Sequence, residues 1–177
     1  MTDLALATLI PLDQVDPASV EHVLDLAFGS DRHGRTAYAI RAGTDWLPAL
    51  SFAALDAADA LVGTIQAWPV ALTPPDGRRH PLIMVGPVAI LPGRQGQGFG
   101  RALMAAQAQA IDTGSIDPVA PLPQVLIGDE PYYGQFGFVE APRGWQCPGP
   151  WDPARLLVRG TNPVLLPQAG VLGPWRG

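Results

Sequence analysis

A chain of 177 residues that is 47% hydrophobic and 15% charged is long enough to close a proper core and too apolar to be disordered. Its formal net charge of −5, without any basic block, argues against a nucleic-acid surface and mildly favours small cationic partners. No apolar run reaches membrane-span length, Met1-Thr2-Asp3 lacks the basic start of a signal peptide, and the single Cys147 has no partner for a disulfide, so one cytoplasmic domain over residues 1–177 is expected, with no membrane.

Leu4 to Leu12 reads as a first strand and Asp13 to Asp16 as a turn. Asp16-Pro17 puts an N-cap residue ahead of a proline at the first helical position. Val20, Val23, Leu24 and Ala27 then give the apolar stripe of a helix that reaches Phe28 and stops at Gly29. A second short helix is expected from Asp31 to Arg41, ending at Gly43. Leu50 to Leu55 and Leu61 to Leu72 read as hairpin strands around the polar turn Asp56 to Asp59. Gly63 inside the second strand marks a bulge or a close backbone approach. Pro74-Pro75-Asp76-Gly77 is a firm turn, and Arg78, Arg79 and His80 are solvated loop charges.

The next stretch, Met84 to Leu103, organises the chain. Leu82 to Leu91 is an apolar run whose β-branched Ile83, Val85, Val88 and Ile90 suit a buried strand. Inside it, Gly86-Pro87 removes a ladder donor and weakens pairing locally. Pro92 and Gly93 end the strand, and glycines follow at every second position: Gly96, Gly98 and Gly100. A helical pattern begins at once through Phe99, Leu103, Ala106 and Ala110. A strand, a glycine-rich turn and a helix start make an anion site, because the first amides of a helix lack internal partners and carry the positive end of its dipole. The phosphate loop of nucleotide triphosphatases fails to match, since Gly100 is followed by Arg101-Ala102 and not by Lys-Ser/Thr. The dinucleotide fingerprint fails as well, since Arg101 stands where its third glycine belongs.

The helix from Phe99 is expected to run to about Thr113, with Gly114 at C′. Ser115 to Pro123 is a proline-rich loop, and Gln124 to Gly128 a strand parallel to Leu82–Leu91 through a right-handed crossover. In Gly128-Asp129-Glu130-Pro131-Tyr132-Tyr133-Gly134-Gln135-Phe136-Gly137-Phe138, Asp129 or Glu130 caps a short helix that ends at Gly137, and Phe138-Val139 starts a strand. Leu156-Leu157-Val158 reads as the last strand, and Asn162 to Gly177 as a proline- and glycine-rich tail over the body. Trp145, Trp151 and Trp175 are candidates for an acceptor pocket or a homodimer contact, with plain packing the simpler fate of each.

Gln95-Gly96-Gln97-Gly98-Phe99-Gly100 fits the pattern Gln/Arg-x-x-Gly-x-Gly/Ala, and with Val88-Ala89-Ile90 and Pro92 before it closely resembles the coenzyme A loop of the GNAT superfamily of N-acetyltransferases. The second segment resembles the family's Tyr-x-x-Phe/Leu-Gly-Phe, with Tyr133 as the aligned tyrosine; its Gly-Asp-x-x-Tyr-Tyr-x-x-Phe-Gly-Phe form points to a bacterial subgroup of predicted acetyltransferases. The resemblance covers Leu50 to Pro142 well and the flanks loosely. It implies an α/β (α+β) fold with a mixed, mostly antiparallel central sheet of about six to seven strands flanked by helices, and a splayed cofactor-binding strand. It also implies acetyl-CoA as the cofactor. Gln95, Gly96, Gln97, Gly98, Phe99, Gly100 and Arg101 would hold the diphosphate, with Arg94 and Arg101 adding charge. Val88, Ala89 and Ile90 would hold the pantetheine arm. Phe28, Arg32, Tyr38 and Trp46 lie where the family shapes its acceptor site, although core or rim packing accounts for each of them singly.

The implied chemistry is direct acetyl transfer to a primary amine, of a small molecule or a peptide, in a ternary complex. Tyr133 is the choice for general acid, since a phenol of pKa about 10 suits a departing thiolate. No general base is readable, His22, His33 and His80 show no metal spacing, and Cys147 sits in a proline-rich turn. Two other classes compete: a non-catalytic acyl-CoA-binding module or sensor, and a scaffold with a vestigial loop. Tyr133 argues against the first and the complete loop pattern against the second.

Overall fold

The computed structural model describes residues 7–113, 122–160 and 166–176. Leu4–Leu6 of the expected first strand, the C′ glycine Gly114, most of the proline-rich loop (115–121), residues 161–165 and Gly177 of the tail lie outside them. The described chain is mixed α/β with a central, mostly antiparallel sheet and flanking helices. It groups into two compact units, one holding residues 7–33, 46–67 and 86–113, the other 34–45, 68–85, 122–160 and 166–176.

In the first unit β1 (Thr8–Pro11) pairs antiparallel with β2 (Phe52–Leu55), and β2 with the first half of β3 (Leu61–Thr73). The far end of β4 (His80–Ile90) belongs to the same unit, and the amide of Leu91 just past it bonds Val62 O at 2.9 Å. Helix α1 (Pro17–Phe28) buries Val20, Val23 and Leu24 against Leu12, Ala53 and Ala89. Asp16 stands at its N-cap with Pro17 behind it, yet the carboxylate accepts no helix amide; Gly29, at φ +91°, ends the helix. Helix α3 (Phe99–Asp112) buries Phe99, Leu103, Met104, Gln107 and Ile111, while Ala106 and Ala110 of the expected stripe are only half-buried. Gln107 of α3 donates to Leu50 O at 2.8 Å and Gln66 O at 3.0 Å, satisfying two buried carbonyls at once.

Gly63 shows why these helices take opposite faces of the sheet. The pairing of β2 with β3 slips between Ala54 and Leu55, so Val62 is the extra residue of a bulge, as the glycine suggested. A Cβ on Gly63 would stand 3.0 Å from Ala89 O and 3.4 Å from Leu103 Cδ1, with Ile90 closer still. Gly63 and its partner Ala54 therefore face α3, and the neighbouring Ala53, which packs on α1, faces the other way.

In the second unit the first half of β4 pairs parallel with β5 (Gln124–Ile127), the expected crossover pairing. β5 pairs antiparallel with β8 (Leu156–Arg159), and β8 with β6 (Val139–Glu140). The second half of β3 pairs with β9 (Ala169–Pro174), which runs parallel to β7 (Gly144–Gln146). The core gathers Val70, Leu72, Leu82, Met84, Val125, Leu156, Val158 and Leu172 around Trp145, whose Nε1 donates to Pro167 O at 2.8 Å.

Several expectations shift. Nine strands occur among the described residues, because β7 forms around Trp145 and β9 in the proline- and glycine-rich tail, so Leu156–Arg159 is not the last strand. The helix expected over Asp31–Arg41 is a 3-10 turn (Arg32–Gly34) followed by α2 (Thr36–Ile40). Pro48–Leu50 is a 3-10 turn, so β2 starts two residues later than its apolar run. Trp145 is core, and Trp151 packs half-buried against the same cluster.

Because a Cβ at Gly63 would press on Ile90 Cδ1 at 2.6 Å and also on the backbone oxygen of Ala89 at 3.0 Å, which cannot turn aside as a side chain can, Gly63→Ala is expected to cost about 1–3 kcal/mol of stability. Urea unfolding monitored by tryptophan fluorescence checks this: the midpoint falls with the slope unchanged.

Candidate active site

The glycine loop begins where β4 stops. Pro92–Arg94 forms a 3-10 turn with Arg94 N bonded to Leu91 O at 2.8 Å. Gly96 and Gly98 then take φ of +78° and +91°, a region that side chains avoid, and Gly98 becomes the N-cap of α3 in the left-handed conformation. Buried Phe99, 1% exposed, pins the helix start. The next amide to find a backbone acceptor after Arg94 is that of Ala102, which bonds Gly98 O at 3.1 Å. Among the described residues, the seven amides from Gln95 to Arg101 donate to no protein group. A Cβ at Gly93, Gly96 or Gly98 would meet nothing within 4 Å, so the side chains the loop omits leave open space. Free donors at a helix N-terminus, facing room, suit a diphosphate.

The strand leading into this loop is interrupted as expected. β4 pairs with β5 over two rungs, Ile83 with Gln124 and Met84 with Val125. Gly86 follows at φ +110° and is joined to Pro87 by a cis peptide. Beyond them Ala89 is fully buried, while Val88 and Ile90 are half-buried.

In the second unit, the segment after β5 is built to place Tyr133. Gly128 closes β5 with its amide on Arg155 O at 2.9 Å. A Cβ there would stand 2.7 Å from Tyr133 Cδ2, with Cε2 nearer still, so the ring lies directly over the glycine. The edges of Tyr132 (centroids 4.9 Å apart) and Phe138 (6.3 Å) confine it further. α4 (Glu130–Tyr133) runs into a 3-10 turn that ends at Gly137, φ +90°. Asp129 occupies the N-cap, but its carboxylate takes Arg155 Nε at 3.1 Å and caps nothing. The phenol of Tyr133 makes no hydrogen bond among the described residues, and burial, with smaller pushes from Tyr132 and Asp129, raises its pKa to about 12.

The GNAT acetyltransferase family profile matches residues 20–116, more than half of the chain. The chain belongs to the GNAT acetyltransferase family. Its fold is similar to that of a GNAT family acetyltransferase from Brucella melitensis solved in complex with acetyl-CoA, at 25% identity over 92% of each chain and a TM-score of 0.59. It is also similar to the GNAT family N-acetyltransferase YhbS from Escherichia coli, solved in complex with CoA, at 23% identity over 97% of this chain and 89% of that one, with a TM-score of 0.68. No curated protein matches the chain significantly.

Other residues of the acetyltransferase depart from simple expectation. Arg94 is engaged within the protein: Nη1 meets Asp56 Oδ2 at 2.7 Å, Nε meets Gln97 Oε1 at 3.2 Å, and its Cζ lies 5.3 Å from the Phe99 ring centroid. Arg101 is exposed, with no ion pair among the described residues. Phe28 and Trp46 each pack, half-buried, against the α1 cluster. Arg32 is 3% exposed and held by Glu21 and, at 3.0 Å, Asp25, so its charge is spent inside the first unit. Tyr38 belongs to the second unit, where it and Trp68 sandwich the buried Arg41, each ring centroid 4.1 Å from Cζ. Cys147 is 7% exposed and burial lifts its thiol to about 11, which removes it as a ready nucleophile.

Sequence reasoning missed three groups here. Asp56 appeared only as a turn residue, and its role depends on a contact across 38 positions. Thr64 and Gln66 appeared only as strand residues. Both are buried, with Thr64 Oγ1 and Gln66 Oε1 left without partners, and Thr64 sits opposite Ala53 on the face that α1 covers. Polar residues at alternate positions of an otherwise apolar strand were the available signal.

A phenol with its pKa raised from 10 to about 12 makes a definite contribution to the pH dependence of stability. The folded state holds the proton more tightly, so this contribution is fully present below pH ~10 and is lost as pH rises toward ~12. Absorbance titration of tyrosinate at high pH checks it: Tyr133→Phe is expected to delete a step near pH 12, and a titration unchanged there would contradict the assignment.

Proposed function

We propose that this acetyltransferase moves an acetyl group from acetyl-CoA to a primary amine of a small molecule or peptide, by direct attack in a ternary complex, and that its two units act as one domain. The observation that carries the reading is the run of seven unpartnered amides at the start of α3. Such a run is a fitting cradle for a diphosphate, and the similar Brucella enzyme was crystallised with acetyl-CoA. Gly96, Gln97, Gly98, Gly100 and Arg101 bind the diphosphate in this proposal. Gln95 and Phe99 frame that loop, Val88 and Ile90 offer backbone groups to the pantetheine arm, and Ala89 between them lies in the wall. When bound, acetyl-CoA supplies an activated thioester carbonyl.

The chain's own residues then have three tasks. The Val88 amide polarises the carbonyl that the neutral amine attacks. The amine's proton passes to water or an acidic rim group as the new C–N bond forms. Tyr133 serves the sulfur as the C–S bond breaks. At a pKa of about 12 its phenol is a weaker acid than an ordinary tyrosine. Full proton transfer to a thiolate of reference pKa about 8.5 would be uphill by about 3.5 units, or about 5 kcal/mol. Tyr133 therefore acts as a hydrogen-bond donor to the leaving thiolate, which solvent can protonate afterwards. On the acceptor side, Phe28 and Trp46 supply apolar surface and Tyr38 an aromatic wall, while Arg32 acts indirectly by holding the end of α1.

A thermal-shift series tests cofactor binding. Acetyl-CoA at a hundred times its Kd stabilises the native state by about 2.7 kcal/mol, a Tm rise of roughly 5–10 °C for a chain of this size. Gly98→Glu is expected to abolish the shift while keeping a cooperative melt. A wild-type protein that does not respond, or a variant that responds equally, contradicts the loop assignment. Tyr133→Phe is expected to lower kcat about a hundredfold in thiol-release assays over an amine panel, with cofactor affinity nearly unchanged. Wild-type turnover would remove Tyr133 from the chemistry, whereas binding without thiol release from any amine would favour a sensor.

A further inference from the structure

A loop whose amides donate to nothing has to be held open by something else. The segment from Gln95 to Gly98 carries two positive-φ glycines and donates no backbone bond, its one backbone contact being Gly98 O, which accepts from Ala102 N, so ordering it costs conformational entropy that its main chain scarcely returns. Its two ends are fixed, by the bond of Leu91 N to Val62 O and by buried Phe99. Between them, Arg94 reaches out of the loop to Asp56, back to Gln97, and across the Phe99 ring. Asp56 is itself prepositioned: its Oδ1 accepts from Ala58 N at 2.9 Å and Ala60 N at 3.0 Å, and its own amide bonds Ala60 O at 2.9 Å. A rigid β2–β3 turn thus offers a fixed carboxylate, and Arg94 transmits that fixity to the loop.

The same contacts decide what Arg94 does with its charge. Asp56 neutralises it at 2.7 Å, and Arg94 and Asp56 side chains are 32% and 14% exposed. A phosphate drawing on Arg94 would have to displace a carboxylate anchored by two amides. Arg101, exposed and without an ion pair among the described residues, carries no such commitment.

We infer that Arg94 is a positioning residue, and that its ion pair with Asp56 is a clamp that holds the seven amides in their binding arrangement without touching the ligand. This inference rests on the diphosphate reading of the loop. It differs from a phosphate-contact role in the sign of one effect. Removing the Asp56 charge would free a phosphate-binding arginine and tighten cofactor binding. Removing it from a clamp loosens the loop and weakens binding.

The test measures CoA affinity by calorimetry and, by 15N relaxation of the ligand-free protein, the backbone order of the loop, for Asp56→Asn, Arg94→Met and the double variant. Each single variant is expected to raise Kd about five- to tenfold, and the double variant no more than either one, because both remove the same interaction. The KM for acetyl-CoA rises with it, while kcat at saturation stays within about twofold. Without ligand, the backbone order parameters of Gly96 to Phe99 fall in each variant. Arg94→Lys, which keeps charge but loses the fork to Gln97, recovers part of the affinity. Tighter or unchanged binding in Asp56→Asn overturns the clamp, as do unchanged order parameters in that near-isosteric variant. Wild-type protein that fails to bind CoA, while the order parameters still fall in the variants, overturns the diphosphate reading and leaves the clamp standing.

Discussion

The structure depends on keeping seven consecutive backbone amides from finding acceptors inside the protein. Buried or half-buried donors normally pair, and a helix start normally recruits a side-chain cap. Here the N-cap is a glycine with no side chain to offer, and the two residues before it are a glutamine engaged by Arg94 and a second positive-φ glycine. Each substitution that would cap the helix in the usual way would also block the cradle. The unpaired state is maintained by geometry: Phe99 and Leu103 anchor α3 from below, and the turn carrying Asp56 braces the loop from the side.

The interruption in β4 fits the same logic. A strand that paired along its full length would leave no main-chain group for a ligand. β4 pairs parallel with β5 for two rungs, and the Gly86-Pro87 step then supplies a positive φ and a residue without an N–H. Gly128, at the end of β5, has a different task, since it clears the space in which the ring of Tyr133 lies. Burying that ring raises the phenol's pKa, which shifts its role in the proposed chemistry from proton donor toward hydrogen-bond donor. Placement and acidity come from the same packing.

The loop was legible in the sequence because positive φ leaves few residue choices, so Gly96 and Gly98 declare their backbone directly. α1 and α3 were legible because long apolar periods resist other readings, and the parallel pairing of β5 followed from a strand–helix–strand order. β7 and β9 were not legible: one has three residues, the other reads Ala-Gly-Val-Leu-Gly-Pro, and both are strands only because each pairs with the other and β9 with β3. Side-chain commitments were the least legible part. Arg32 and Arg94 look like free cations in a list of residues, and become structural once Asp25 and Asp56 are brought to them by the fold. Tyr133 was identified by pattern, but its acidity depends on burial, which no pattern reports.

Amide NMR of the isotope-labelled protein during titration with CoA tests the central claim most directly. The account predicts that the resonances of Gly96 through Arg101 move downfield and become protected from exchange, as bare donors acquire phosphate acceptors, with smaller changes further along α3. Binding that leaves these amides unmoved, or no binding at millimolar CoA, would contradict it.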